Sequence, residues 1–295
     1  MHTLRTWLRA TRPTAAINLL LPLALGQALA HQATGMFSML SCLFLLLYGF
    51  AMQLYIVFLN DWADQRADEL NDTPTIFSGG SRVLVEKCLP PRALLYAGLG
   101  AALSIIALGL FCIFFFGRPW ALVLFATGLA LLWAYSLPPL RLNYRGGGEL
   151  LQALGVGLVL PIVGFYVQSG HFPATTSSPL TSLLSAYLYL QLCAAIAFAV
   201  PDEDADRRAG KRTVATLFGT KKAGAITIAL GLLTHLFLFT NDVPTPVTYL
   251  PAMPFALALF ILPNCTQSRT HTLLLTALLI APATLFALAI LYSTF

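Results

Sequence analysis

Two short acidic stretches stand directly behind apolar runs. Asn60–Asp72 (NDWADQRADELND) follows Met39–Leu59, and Pro201–Lys211 (PDEDADRRAGK) follows a second run. In the first, Asn60, Asp64 and Asp68 are spaced i, i+4, i+8, which stacks them along one face if the helix continues. In the second, Asp202 and Asp206 repeat the i, i+4 step. Like charges placed this way repel unless a cation neutralises them. An oxygen-only donor set suits a hard divalent ion, and Mg2+ takes one or two carboxylates together with substrate phosphates. A solvated acidic cap on each helix is the plainer alternative. A charged group in hydrocarbon costs about 3 kcal/mol or more, so these acids must face water, a cavity or a bound cation.

The elements that carry them are membrane spans. The chain of 295 residues is 58% hydrophobic and only 10% charged, with mean hydropathy +0.77. A soluble domain carries about a quarter charged residues, so this is expected to be one polytopic membrane domain, 1–295. Apolar runs near 14–31, 37–59, 93–116, 120–137, 149–168, 183–200, 222–240, 247–263 and 272–293 approach the ~20 residues that a bilayer core requires. The first is expected to be a retained span, with no small-residue cleavage site behind it. Cys42, Cys88, Cys112, Cys193 and Cys265 stand singly, mostly within apolar runs, and read as small hydrophobes.

Charge orients the chain. With the amino terminus in the cytoplasm, every one of the 17 Lys and Arg except Arg118 falls on the cytoplasmic side, as does every acid except Asp242. The expected topology is a multi-pass protein of the cell (inner) membrane, carboxy terminus extracytoplasmic, chemistry toward the cytoplasm. The +5 net charge follows from that bias and implies no nucleic acid. The segments His31–Gly35, Ser169–Ser182 and Asn241–Pro246 read as polar turns on the other side.

Both acidic stretches then sit at the same face, at the ends of the second and sixth spans, and can oppose each other across a bundle. Two facing metal sites are what an allylic diphosphate requires. Metals and basic groups stabilise the leaving diphosphate, and the allylic cation left behind survives only among π-faces with water excluded. Tyr55, Phe58, Trp62, Tyr135 and Phe198 are candidate lining residues. Arg66, Arg82 (behind Ser78-Gly79-Gly80-Ser81, where glycines let backbone N–H groups approach an anion), Arg141, Arg145, Lys211 and Arg212 are candidate diphosphate partners. Positive-inside bias alone also supplies such charges.

The residues also carry a family resemblance. Asn60-Asp61-x-x-Asp64-x-x-x-Asp68 resembles the first aspartate-rich motif of the UbiA superfamily of intramembrane prenyltransferases. Asp202-x-x-x-Asp206, with Gly210-Lys211-Arg212-Thr213 behind it, is similar to the second. Arg12-Pro13, Tyr135-Ser136-x-Pro138-Pro139-x-Arg141 and Arg145-Gly146-x-Gly148-Glu149 extend the likeness over about the first three quarters of the chain. The resemblance implies an all-α fold of nine transmembrane helices around a central cavity. It implies two Mg2+ ions bridging the motifs through a prenyl diphosphate, Asn60 and Asp64 serving one ion, Asp202 and Asp206 the other. Asp61 and Asp68 would support the first site, and Tyr135 and Ser136 would line the cavity near the diphosphate. The implied reaction is prenyl transfer to a small aromatic acceptor in the lipid bilayer. Phe77–Val85 and Tyr166–Gly170 look like the 1,4-dihydroxy-2-naphthoate branch of menaquinone synthesis. A membrane terpene cyclase on the same scaffold, acting on a prenyl diphosphate alone, is the alternative. A transporter is a third reading, against which the mid-span regions hold almost no charge.

Overall fold

The computed structural model describes residues 2–75, 77–173, 179–241 and 245–295, and every regular element among them is helical. Eight spans are long and apolar enough to cross a bilayer. Numbered in chain order with one shorter helix, the main elements are α1 (Ile17–Thr34), α2 (Met39–Ala63), α3 (Pro91–Phe116), α4 (Ala121–Ser136), α5 (Gly148–Ser169), α6 (Pro179–Phe198), α7 (Thr220–Thr240), α8 (Ala252–Ile261, within the span Pro246–Asn264) and α9 (Arg269–Thr294). The shorter one is α4, where the sequence suggests a ninth full span. Its 16 residues reach about 24 Å, against a hydrocarbon core of about 30 Å. Pro119 stands just before it, and at its other end Leu137 is held extended by Pro138.

Local chemistry sets the other ends. The Ser38 hydroxyl accepts from the Ser41 N–H (3.2 Å) to cap α2, and Ser268 does the same for His271 at α9 (3.3 Å). His31–Thr34, expected in a turn, complete α1 and leave Gly35 as its left-handed cap. Asp242 and parts of the 169–182 and 241–246 segments lie outside the described residues.

The helices close into a ring. Each of α1 to α6 packs on the next, α6 also meets α7 and α9, α8 lies against α9, and α9 returns to α1. The backbones of α1 and α5 touch: a Cβ on Gly26 would strike the Pro161 carbonyl, and one on Gly164 the Leu23 carbonyl. Small residues of this kind let membrane helices approach without side chains between them. Inside, Tyr48 stacks on Phe125 at 4.0 Å. Outside, the bundle is apolar: Leu103 is 68% exposed, Phe114 85% and Phe260 78%. That surface is tolerable only against lipid, so the chain is a multi-pass membrane protein.

α5 is interrupted where it borders the interior. Gly155–Val159 forms one π-turn between Gly148–Leu154 and Leu160–Ser169. Such turns redirect side chains and occur often beside functional cavities.

Candidate active site

A cavity of about 320 Å3 opens at one end of the ring. Its depth is apolar, walled by Leu19, Met52, Ile56, Leu132, Val159 and Leu160, with Gly128 adding no side chain. Its mouth carries Asn60, Asp64, Asp68, Asp202, Asp206 and Lys211. The structure therefore brings together two acidic stretches that lie far apart in sequence.

The first stretch is not one continuous helix. α2 stops at Ala63, Asp64 takes a non-helical backbone (φ −98°), and Gln65–Glu69 restarts as a short helix. The Asp64 N–H still bonds Asn60 O (2.8 Å) and the Asp68 N–H bonds Asp64 O (3.0 Å). The i, i+4 spacing thus survives the break, and all three side chains reach the cavity. The second stretch breaks in the same way: a 3-10 turn ends at Asp202, and Glu203–Ala209 continues as a helix.

Each acid has its own neighbours. Asp64 receives Asn143 Nδ2 (3.3 Å) and Lys211 Nζ (3.1 Å). The same ammonium lies 3.1 Å from Asp206 Oδ1, so one cation joins the two stretches. Asp202 accepts from Asn71 Nδ2 (2.6 Å). Asp61 does not line the cavity. It is buried, accepts from the Ser81 N–H (3.1 Å), and has Arg12 Nη1 at 3.8 Å. Asn60 turns its amide oxygen to the Ser136 hydroxyl, which donates at 3.1 Å.

Asn71–Thr75 and Phe77–Ser81 form an arch beside these acids. Arg208 holds the Leu70 carbonyl (2.5 Å) and Arg269 holds that of Pro74 (2.6 Å). Gly80, at φ 64°, passes so close to Asp68 that a Cβ there would overlap its carboxylate. Phe77 on the arch faces Phe198 at the end of α6, rings tilted with centroids 6.4 Å apart, and both line the cavity.

Burial shapes the charges outside the spans. Desolvation, with Asp61 and Asp64 adding repulsion, pushes the Asp68 carboxyl up to about 7. At Lys211 burial opposes the charge, but the Asp64 and Asp206 carboxylates outweigh it and hold the ammonium well above its ordinary range. Burial first, then the Asp64 carboxylate, raises the Tyr144 phenol to about 12.

The basic candidates divide. Lys211 reaches the cavity. Arg82 donates to the carbonyls of Asp68 (2.7 Å) and Asn71 (3.0 Å) and so pins the arch. Arg141 donates to Ala63 O (3.0 Å) at the break in the first stretch and lies over the Tyr144 ring. Arg66 and Arg145 are exposed and away from the cavity, and Arg212 is exposed. Of the aromatic candidates, Tyr135 and Phe198 line the cavity. Tyr55 bonds the Leu129 carbonyl (2.9 Å), Phe58 packs on Trp7, and Trp62 is not at the wall.

Sequence reasoning passed over Asn71, Phe77 as a lining residue, and Asn143. Their contacts are long-range, so no local pattern points to them.

The donor set fits a hard divalent cation. At the cavity wall Asn143 Oδ1 is a buried oxygen with no hydrogen-bond donor, and a cation, Lys211, already sits between Asp64 and Asp206. Among the described residues no three His, Cys, Asp or Glu converge enough to chelate an ion unaided.

The chain is similar to several known proteins. The profile of the UbiA prenyltransferase family matches residues 19–271. The 1,4-dihydroxy-2-naphthoate octaprenyltransferase of Bacillus subtilis (strain 168) is 26% identical over 222 residues, 74% of this chain and 67% of that one. The 2-carboxy-1,4-naphthoquinone phytyltransferase of Synechocystis sp. is 25% identical over 265 residues, 87% and 82% of the two chains. A solved UbiA homolog from Archaeoglobus fulgidus, bound to DMAPP and Mg2+, superposes with TM-score 0.70 at 18% identity, covering 95% of this chain and 99% of the other. The last likeness establishes the fold.

Proposed function

Because the chain belongs to the UbiA prenyltransferase family, we propose that its cavity transfers a prenyl group from a prenyl diphosphate to an electron-rich aromatic carbon. The favoured acceptor is a ring of the 1,4-dihydroxy-2-naphthoate type used in quinone synthesis, since both curated relatives carry naphthoate or naphthoquinone names. The observation that carries the reading is the pairing of Asp64 and Asp206 through one cation at the mouth of an apolar cavity.

Asn60 and Asp64 would hold one divalent ion and Asp202 and Asp206 the other, with Asp61 and Asp68 in support. Bound Mg2+ would neutralise the charge that gathers on the departing diphosphate. Lys211 places a further positive charge beside the same oxygens. Arg82, Arg141 and Arg208 act at one remove: they fix the arch and the helix break by their backbone carbonyls, so the acids keep their positions. Ser136, buried behind the cavity wall, fixes the Asn60 amide by donating to its oxygen. The apolar walls take up the prenyl chain and exclude water, while Phe77, Tyr135 and Phe198 present π-faces to a developing allylic cation.

The mouth is assigned to the cytoplasmic side, with the amino terminus in. The support is the crowding of Lys and Arg at that end, and Arg118 at the other, where it bonds the Val167 carbonyl at the far end of α5 (3.2 Å).

A product assay tests the reaction. Purified protein in liposomes receives Mg2+ and labelled geranyl diphosphate, with or without 1,4-dihydroxy-2-naphthoate. Prenylated product that appears only with the acceptor is expected. A terpene formed without acceptor would replace transfer by cyclisation, and no diphosphate release under any condition would overturn the enzymatic reading.

A further inference from the structure

We infer that Lys211 is a resident counter-ion that bridges one carboxylate of each acidic motif before a metal binds and moves to the diphosphate when divalent cations enter. The inference rests on the two-motif reading above. Its ammonium stands 3.1 Å from Asp64 Oδ2 and 3.1 Å from Asp206 Oδ1, one carboxylate from each motif. Its side chain is only 13% exposed, so it is a built contact and not a surface pair. The backbone enforces it: Gly210 turns left-handed (φ 82°) and the Lys211 N–H bonds back to Asp206 O (2.9 Å). That turn returns the side chain across its own helix end toward Asp64.

Neighbouring cations are otherwise engaged. Arg207 pairs with Glu203, Arg208 with Asp72 and the Leu70 carbonyl, and Arg12 lies beside Asp61. Among the described residues Asp202 has no cation within ion-pair reach and is held instead by Asn71 (2.6 Å). The two sides of the mouth therefore differ. The Asp202 carboxylate is held open by a neutral amide, whereas Asp64 and Asp206 are closed by a charge that must leave. A lysine suits this task, being a compact charge on a flexible stem with three rotatable donors.

The consequence is coupling. A divalent cation alone must evict the ammonium from both carboxylates. A cation arriving with diphosphate offers the ammonium new oxygens, so each ligand strengthens binding of the other. Until a metal binds, the ammonium keeps the buried acids neutralised.

The test is Mn2+ binding to the detergent-purified full chain, read by electron paramagnetic resonance, with and without inorganic diphosphate and no prenyl substrate. Lys211→Met is expected to bind Mn2+ alone about tenfold tighter than the parent or more, and to lose most of the enhancement by diphosphate. Mn2+ alone should also raise its melting temperature more than it raises the parent's. Lys211→Arg, whose fork can hold both carboxylates, should bind Mn2+ alone more weakly than the parent, and it keeps the test decisive if the methionine variant does not fold. Arg212→Met removes a nearby exposed charge and should show no tenfold gain. Mn2+ affinity unchanged in Lys211→Met, or in Lys211→Arg if that alone folds, with diphosphate-supported binding intact, would overturn the inference and leave the metal motifs standing. No Mn2+ bound under any condition would instead remove the two-motif reading itself.

Discussion

Gly80→Ala probes the arch beside the acids with a single methyl group. Gly80 sits at φ 64°, where an L-residue costs about 1–2 kcal/mol. The added Cβ overlaps Asp68 Oδ2 and lies 3.0 Å from Asp68 Cγ and 3.1 Å from Asp61 Oδ1. Arg82 and Ser81 hold the arch on its far side, so the carboxylate is what yields, by about 1 Å to regain ordinary contact. Displacing a positioned group by that much costs roughly 10²-fold in rate. Gly117 is the matched control: φ is 65°, and a Cβ there meets nothing within 4 Å. Both variants should lose melting temperature in the same detergent, about 2–4 °C per kcal/mol, Gly80→Ala at least as much as Gly117→Ala because it adds the overlap to the shared φ cost. Only Gly80→Ala should lose about 10²-fold in kcat in a coupled diphosphate-release assay. Equal kcat losses in the two variants, or none at position 80, would refute the assignment of Asp68 to the working site.

Asp64→Asn and Asp206→Asn each keep the shape and remove one charge from the shared site. Turnover should fall by about 10³ or more while membrane insertion and yield stay normal, and added Mg2+ should not restore the rate; near-parental turnover in either would be fatal to the metal assignment. With Asp68 pushed up to about 7 from its ordinary 3.8, the folded metal-free chain keeps a proton there that the unfolded chain releases. That contribution favours folding at low pH and is lost as pH rises between those values. In EDTA, Asp68→Asn should therefore flatten the decline in melting temperature between pH 5 and 7, and an unchanged slope would contradict the shift. Gly128→Leu fills the apolar end, where even a Cβ lies 3.1 Å from Met52 Cε. It should spare dimethylallyl diphosphate and depress turnover of longer donors at least tenfold, and equal losses for both would place the chain elsewhere.

Much of this site is legible in the sequence because membrane proteins tolerate few charges. Acids at the ends of the second and sixth spans had to meet something other than lipid, and positive-inside bias puts them on one face. Lys211 follows because it lies five residues beyond Asp206, on the turn made by Gly210. The roles of Arg82 and Arg141 do not follow. Composition cannot tell an arginine that meets a phosphate from one that meets backbone carbonyls, and both were open to either use. Nor does the arch, since Asn71 reaches Asp202 across 131 residues and Phe77 meets Phe198 across a similar interval. The breaks at Asp64 and Asp202 are equally hidden, because the i, i+4 bonds continue through the first of them. The shortness of α4 is a matter of flanking prolines that an apolar count overlooks.

The central claim is that the two motifs jointly hold a prenyl diphosphate through divalent ions. It is tested most directly by a crystal structure with Mn2+ and a non-cleavable prenyl thiodiphosphate, read from anomalous scattering. The account predicts one peak beside Asn60 and Asp64, one beside Asp202 and Asp206, the diphosphate between them, and the prenyl chain running toward Gly128. A diphosphate lodged instead against Arg9 and Arg82 outside the mouth, with no anomalous peak at either motif, would contradict it.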